Sequence, residues 1–206
     1  MEISPFQVDN KERYKLLIGS VVPRPIALVS TISAKGEPNL APFSFFTIAA
    51  YNPMLIVFFP LRFKSKSEQH VKDTVRNIRE TAEFVVNITT ESMAEAVNRA
   101  GGAYEFGADE FVISGLTKEK SKVIKPFRVK ESPVHLECRL HKMLTLSEEE
   151  GGSDAVFGEV IHMHVHDSII KDHKIDVKSL KPVARLGGPQ WSKLGEVFTL
   201  DRPIVK

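Results

Sequence analysis

The stretch Ile26-Ala27-Leu28-Val29-Ser30-Thr31-Ile32 is short, mostly apolar and rich in branched side chains, which predicts a β-strand. Ala34-Lys35-Gly36-Glu37-Pro38-Asn39 behind it is a turn cluster. Residues 40–50 and 54–59 predict two further strands, with Asn52-Pro53 as the turn between them. Upstream, Pro23 and Pro25 impose an extended entry, because each disfavours the helical region for the residue before it. The apolar spacing of Tyr14, Leu16 and Leu17 predicts a short helix leading into them.

Working outward, strands are predicted at 84–88, 135–146, 155–170 and near 197–200. Asp73 or Thr74 caps a predicted helix through about Ala82, and residues 91–100 form another, stopped by Gly101-Gly102. Residues 62–71 read as a polar, basic loop, 106–126 as an ordered excursion and 177–183 as a helical turn. An acidic loop carries Glu148-Glu149-Glu150-Gly151-Gly152, and Arg185-Leu186-Gly187-Gly188-Pro189 forms another loop. Six or seven strands, two or three helices and no βαβ alternation predict a mainly β fold: an antiparallel barrel with a few peripheral helices. No internal repeat or linker interrupts the chain, so one domain over 1–206 is expected.

Composition narrows the function classes. Lys plus Arg (28) nearly cancels Asp plus Glu (26), so no global field makes nucleic acid or an anionic membrane the default partner. The single cysteine, Cys138, forms no internal disulfide and suits a reducing, cytoplasmic setting. The first ten residues carry Glu2 and Asp9 without an apolar core, so no signal peptide is expected. No apolar run approaches the ~20 residues that span a bilayer.

Neither GxGxxG nor a Walker A pattern occurs where a Rossmann or P-loop site would need it. The unusual stretch is Ser30-Thr31 together with Asn39-Leu40-Ala41-Pro42-Phe43-Ser44-Phe45-Phe46. Hydroxyls and an amide at strand ends offer donors and acceptors, and Ala41-Pro42 keeps the backbone close to a flat heterocycle. Strand-end polar groups beside an aromatic core have the same composition, and that is the simpler account of the residues alone.

Lys72-Asp73-Thr74 at a helix start suits a phosphate, through free amides, the helix dipole and one cation; an ordinary capped helix looks the same. His162-Met163-His164-Val165-His166 puts three imidazoles on one strand face at a zinc-ligand spacing. No Cys-x-x-Cys or Glu-x-x-His accompanies them, so no metal is assigned, and one histidine facing a ligand is the better account. Arg24 and Arg185 are isolated arginines beside turns, suited to a phosphate clamp or to surface ion pairs. No side-chain acid, base or nucleophile is assigned.

Seven segments carry a resemblance in order: Val22-Pro23-Arg24-Pro25-Ile26-Ala27-Leu28-Val29-Ser30-Thr31, Asn39-Leu40-Ala41-Pro42-Phe43-Ser44-Phe45-Phe46, Lys72-Asp73-Thr74-Val75-Arg76-Asn77-Ile78, Phe84-Val85-Val86-Asn87, Glu131-Ser132-Pro133-Val134, Gly158-Glu159-Val160 and Arg185-Leu186-Gly187-Gly188. From about residue 14 to 203 the chain resembles the flavin reductase-like, FMN-binding family. The resemblance implies a split β-barrel that forms a homodimer, with FMN at or near the subunit interface.

Carried over by position, Ser30, Thr31, Asn39, Ala41, Pro42, Ser44 and Phe45 are implied ring and ribityl contacts. Lys72, Asp73 and Thr74 are the implied phosphate end, and His164 and Arg185 come from the later motifs. The implied activity is NAD(P)H-dependent flavin reduction, with hydride passing to the flavin N5. The alternative is a flavoredoxin-like electron carrier reduced by a protein partner, and a redox protein or monooxygenase is the implied outlet. Two departures stand out: Trp191 where relatives often carry tyrosine, and a 62–71 loop unlike the family's usual one.

Overall fold

The computed structural model describes residues 1–62, 71–105 and 107–204. Most of the expected basic loop, 63–70, and the first residue of the expected excursion, Phe106, lie outside the described residues. Asp9 opens helix α1 (Asn10–Ser20): its carboxylate accepts from the Glu12 amide at 2.7 Å, and Glu12 returns a bond to the Asp9 amide at 3.0 Å. The two-residue strand β1 (Arg24–Pro25) leads to β2 (Ala27–Ile32), β3 (Pro38–Phe43), β4 (Phe46–Tyr51) and β5 (Met54–Phe58).

Residues 40–50 therefore belong to two strands, broken at Ser44-Phe45. Phe43 is core and Phe46 packs against the same core. Two inward side chains three residues apart cannot share one face of a continuous strand, so the chain bends between them.

Helix α2 (Asp73–Thr81) precedes β6 (Glu83–Ile88), followed by α3 (Ala94–Ala100) and α4 (Glu110–Ser114). A small hairpin of β7 (Lys118–Glu119) and β8 (Arg128–Val129) leads to the long strands β9 (Val134–Thr145) and β10 (Asp154–Val165). A second small hairpin, β11 (Ile170–Lys171) with β12 (Lys174–Ile175), precedes α5 (Val177–Leu180), β13 (Val183–Arg185) and β14 (Trp191–Lys193). The main antiparallel sheet runs β3-β2-β6-β9-β10-β5-β4. Its two edges, β3 and β4, are consecutive in the chain, so the Ser44-Phe45 bend carries the backbone across the seam of a curled sheet. A separate three-stranded sheet runs β1-β13-β14.

Strand β2 is buried on both faces. Ala27 and Val29 face a core with Phe58, Phe84, Val86 and Val156, whereas Leu28 joins Leu40, Met93, Val97 and Phe111 beneath α3 and α4. Phe58, Phe84 and Phe111 are essentially buried, each contributing about 1.5–3 kcal/mol by burial. A Cβ at Gly158 would enter the Phe84 ring, so that close approach requires glycine, beside an irregularity in the β9–β10 pairing.

Four expectations are corrected. The final strand is Trp191–Lys193, not 197–200: residues 194–204 form no secondary structure, and Phe198 and Leu200 stand 74% and 82% exposed. Their apolar alternation finds no neighbouring strand in the protomer. The strand expected over 155–170 ends at Val165, and a 3-10 turn, Asp167–Ile169, follows. Lys72, not Asp73 or Thr74, is the cap residue of α2, and those two occupy its first turn. The helical turn ends at Leu180, where Lys181 turns left-handed (φ 49°), and Val183 already begins β13. Among the described residues no helix is long and apolar enough to cross a membrane.

Candidate functional site

Strand alternation on β3 divides the candidate residues between two regions. Asn39 faces α2 and α4, where its Oδ1 accepts from Thr31 at 3.2 Å and from Thr74 at 3.0 Å. Its Nδ2 donates to Glu110 at 3.1 Å, and the Leu40 amide donates to the same carboxylate oxygen at 2.9 Å. Asn77 donates to Thr31 at 3.0 Å. This buried network ties β2 and β3 to α2 and α4. Burial pushes Glu110 above the ordinary carboxylate value, and the bonds from Leu40 and Asn39 oppose that rise.

At the head of α2 the Lys72 ammonium lies 5.7 Å from the centre of the Phe43 ring. Burial lowers its pKa, and Asp73 and Glu110 oppose that shift. Asp73 is raised by burial against the pull of Arg76, 3.7 Å away, and of Lys72. The lysine side chain has no acceptor and makes no cap bond, while the Lys72 carbonyl accepts from the Val75 amide at 3.0 Å and the Arg76 amide at 3.2 Å.

Pro42 and Ser44 face a cavity of about 210 Å³ lined also by Tyr14, Arg24, Arg185 and Trp191. Arg24 is 7% exposed; its Nη1 donates to the Ile18 carbonyl at 2.7 Å and also to that of Val21, and its Nη2 to that of Leu186 at 2.8 Å. It thereby ties the C-terminus of α1 to the loop after β13, a favourable place for a cation. Its Cζ sits 5.7 Å over the Phe45 ring. Arg185 donates to the Gly188 carbonyl at 2.9 Å and lies 5.3 Å over the Trp191 ring.

The remaining candidates sit elsewhere. Ser30 is fully buried and donates to the Phe127 carbonyl. Ala41 is half-buried against the main core. His164 is hydrogen-bonded to fully buried Glu137 at 2.6 Å and stacks edge-on with His135 and His162, outside the cavity lining. His166 turns to Ser168, 2.7 Å away, and among the described residues no group of three or more metal-ligating side chains forms. Cys138 is buried, and burial pushes its thiol up, which leaves it inert.

Sequence reasoning did not find Glu110 or Glu137. Asp109, which caps α4 by accepting from the Phe111 amide at 3.1 Å, is the one local signal that a helix carries Glu110. Tyr14 and Asn98 reach the cavity only through tertiary packing, and no sequence signal marks them.

Comparison with known proteins gives this geometry a family. Residues 18–177 match the flavin reductase like domain. The crystal structure of nitrilotriacetate monooxygenase component B from Bacillus cereus is 37% identical, with a TM-score of 0.91 over 97% of this chain and 98% of that one. A 2-nitrobenzoate 2-nitroreductase of Pseudomonas fluorescens is 31% identical, with a TM-score of 0.88 over 98% and 96%. A Shewanella frigidimarina chain with a split barrel domain, 22% identical with a TM-score of 0.83 over 98% and 100%, bears on the fold alone. The chain therefore belongs to the flavin reductase-like family, a flavin-related oxidoreductase built on a split β-barrel.

Proposed function

We propose that this protein is an FMN-dependent NAD(P)H:flavin reductase that works as a homodimer, with residues 1–206 as one unit. The lining of the cavity carries the proposal. Beside the Ser44-Phe45 bend stand two guanidinium groups, an indole and a hydroxyl, with no carboxylate and no nucleophile–base pair among the described lining residues. Such a surface binds and orients a ligand, and the chemistry then belongs to a cofactor.

The residues fit FMN. Ala41 and Pro42 offer a backbone edge with little side chain, and Ser44 offers a donor for a ring carbonyl. Lys72 and the backbone amides of Asp73 and Thr74 in the first turn of α2 suit a phosphate, the Thr74 hydroxyl being spent on Asn39. Thr31 and Asn39 act through the backbone they hold, since their polar atoms bond within the protein. FMN, when bound, supplies hydride acceptance at N5. The protein's share is to hold the ring against the bend and keep a cationic surface beside it.

The homodimer is supported by apolar surface that one protomer leaves uncovered. Ile48 and Tyr51 on edge strand β4 are 76% and 91% exposed, and an exposed apolar edge invites pairing. Because the Bacillus cereus neighbour is named as a component of a monooxygenase, a monooxygenase or other redox protein is the proposed outlet for the electrons.

The test is the absorption spectrum of purified protein loaded with FMN, before and after anaerobic NADH or NADPH. Bleaching faster than a free-FMN control supports the reductase. Protein that binds FMN yet bleaches only with a reduced protein donor would select the electron-carrier role, and protein that binds no FMN would refute both. Light scattering giving a mass of 23.1 kDa, that of one chain, would refute the dimer.

A further inference from the structure

Arg24 and Arg185 are direct cross-strand partners in the β1–β13 register. Like charges placed directly opposite destabilise a sheet, and neither arginine forms an ion pair among the described residues. Among the described residues, the cavity they line holds no acidic side chain. Arg24 is more than nine-tenths buried, and its Nε has no hydrogen-bond partner. That nitrogen is enclosed by protein and is a cost carried inside the fold, so the cationic face offered to the cavity is that of Arg185. Arg185 is half-buried and bonds within the protein through Nη2 alone, to Gly188, so most of its planar fork remains available.

The walls around this charge are flat and apolar: Trp191, with Arg185 stacked 5.3 Å away, and Tyr14, Ile18 and Ile26. A volume of about 210 Å³ lies below the ~300–1,000 Å³ usual for drug-sized ligands. It suits a single substituted ring. A forked guanidinium matches the two oxygens of a carboxylate, and an indole wall matches an aromatic ring.

We propose that this cavity is a subsite for a small aromatic carboxylate, its carboxylate held by Arg185 with Arg24 behind, and its ring against Trp191. The subsite deepens the flavin reading by naming the substrate class of the site beside Ser44, and it rests on that reading for its catalytic meaning.

Trp191 is the only tryptophan in the chain, so its fluorescence reports this cavity directly. The full chain, with and without FMN, is titrated with benzoate, with its neutral counterpart benzamide, and with inorganic pyrophosphate as an anion without a ring. Benzoate is expected to quench Trp191 saturably and to bind about tenfold or more tightly than benzamide, as charge-assisted hydrogen bonds predict. Arg185→Gln should remove most of that preference, and Arg185→Lys should recover only part of it, having the charge without the fork.

Equal binding of benzoate and benzamide, or an Arg185→Gln chain that keeps the preference, overturns the proposal. Binding of pyrophosphate but not benzoate overturns it in favour of a phosphate site. FMN uptake is read separately from flavin absorbance. A chain that takes benzoate but no FMN keeps the subsite and loses the flavin reading; one that takes FMN and ignores benzoate does the reverse.

Discussion

The α2–α4 network and the Arg24–Arg185 cavity are both polar regions laid against strand β3, and they treat their polar atoms differently. In the network, Asn39 makes three hydrogen bonds to three partners, and the Glu110 carboxylate accepts from two donors inside the fold. In the cavity, two like charges face each other across a strand pair, and neither has an ion-pair partner among the described residues. Satisfied groups hold a structure together. One unmet buried atom does not distinguish the two regions, since Asn77 Oδ1 in the network is unmet as well; paired like charges without a counter-ion do, and they mark where an anion is meant to bind. The network is therefore the brace of β3, and the cavity is where β3 meets its ligand.

Glu110→Ala should break this contrast most severely. It leaves the Leu40 amide and the Asn39 Nδ2 without their acceptor in a buried site. At about 1–3 kcal/mol for each unsatisfied group, the expected loss is about 3 kcal/mol in urea unfolding. Benzoate binding by the folded fraction should be unchanged, and a parallel loss would show that the two regions are one.

Arg24→Leu should cost about 2 kcal/mol by the same measurement, because three carbonyls lose a charged donor, two of them at the end of α1. Arg185→Gln should stay within about 0.5 kcal/mol, since its one internal bond is a local, exposed contact to Gly188. A large loss in Arg185→Gln would make that arginine structural and weaken its assignment to a ligand.

Much of this architecture is legible in the chain. Branched apolar residues and flanking turn signals mark β2 and β6, and Asn52-Pro53 marks the turn between β4 and β5. The Ser44-Phe45 break is not legible, because 40–50 is uniformly β-compatible and only the shared core of Phe43 and Phe46 demands a bend. The apolar alternation at 197–200 misleads for a related reason: periodicity describes a face and says nothing of whether a neighbouring strand exists to cover it. Asn39 and Thr31 are conspicuous in sequence, but that they bond to each other and to Thr74 is a tertiary fact. Glu110 and Glu137 are ordinary glutamates locally, and only distant backbone amides make them matter.

Glu137 extends the contrast to a third polar region. Burial pushes its pKa up, but the Lys122 and Val123 amides, each at 2.8 Å, and His164 outweigh that, so the net shift is downward. A carboxyl with a lowered folded pKa stabilises the fold above its unfolded value and loses that contribution as pH falls through the folded value. Glu137→Gln should therefore cost about 1–2 kcal/mol at neutral pH. Its difference from the unaltered chain should close as pH drops below the ordinary carboxylate value of 4.5. A difference that is flat with pH would assign the effect to packing instead of charge.

A small change in stability at Gly101 sharpens the cavity's outline. Gly101 follows α3 with an ordinary φ of −82°, which alanine adopts without strain. An added Cβ would come within 3.1 Å of Pro42 Cγ, on the wall of the cavity. The proline has to give by a few tenths of an ångström, so Gly101→Ala should change stability by less than about 1 kcal/mol. Because Pro42 and Gly101 both line the cavity, the same shift should weaken benzoate binding a few-fold while FMN uptake is retained. Glu110→Ala and Gly101→Ala then move opposite observables, one stability and the other affinity. If Gly101→Ala instead lowered stability and left benzoate untouched, Pro42 would belong with the brace, and the cavity would have to be drawn without it.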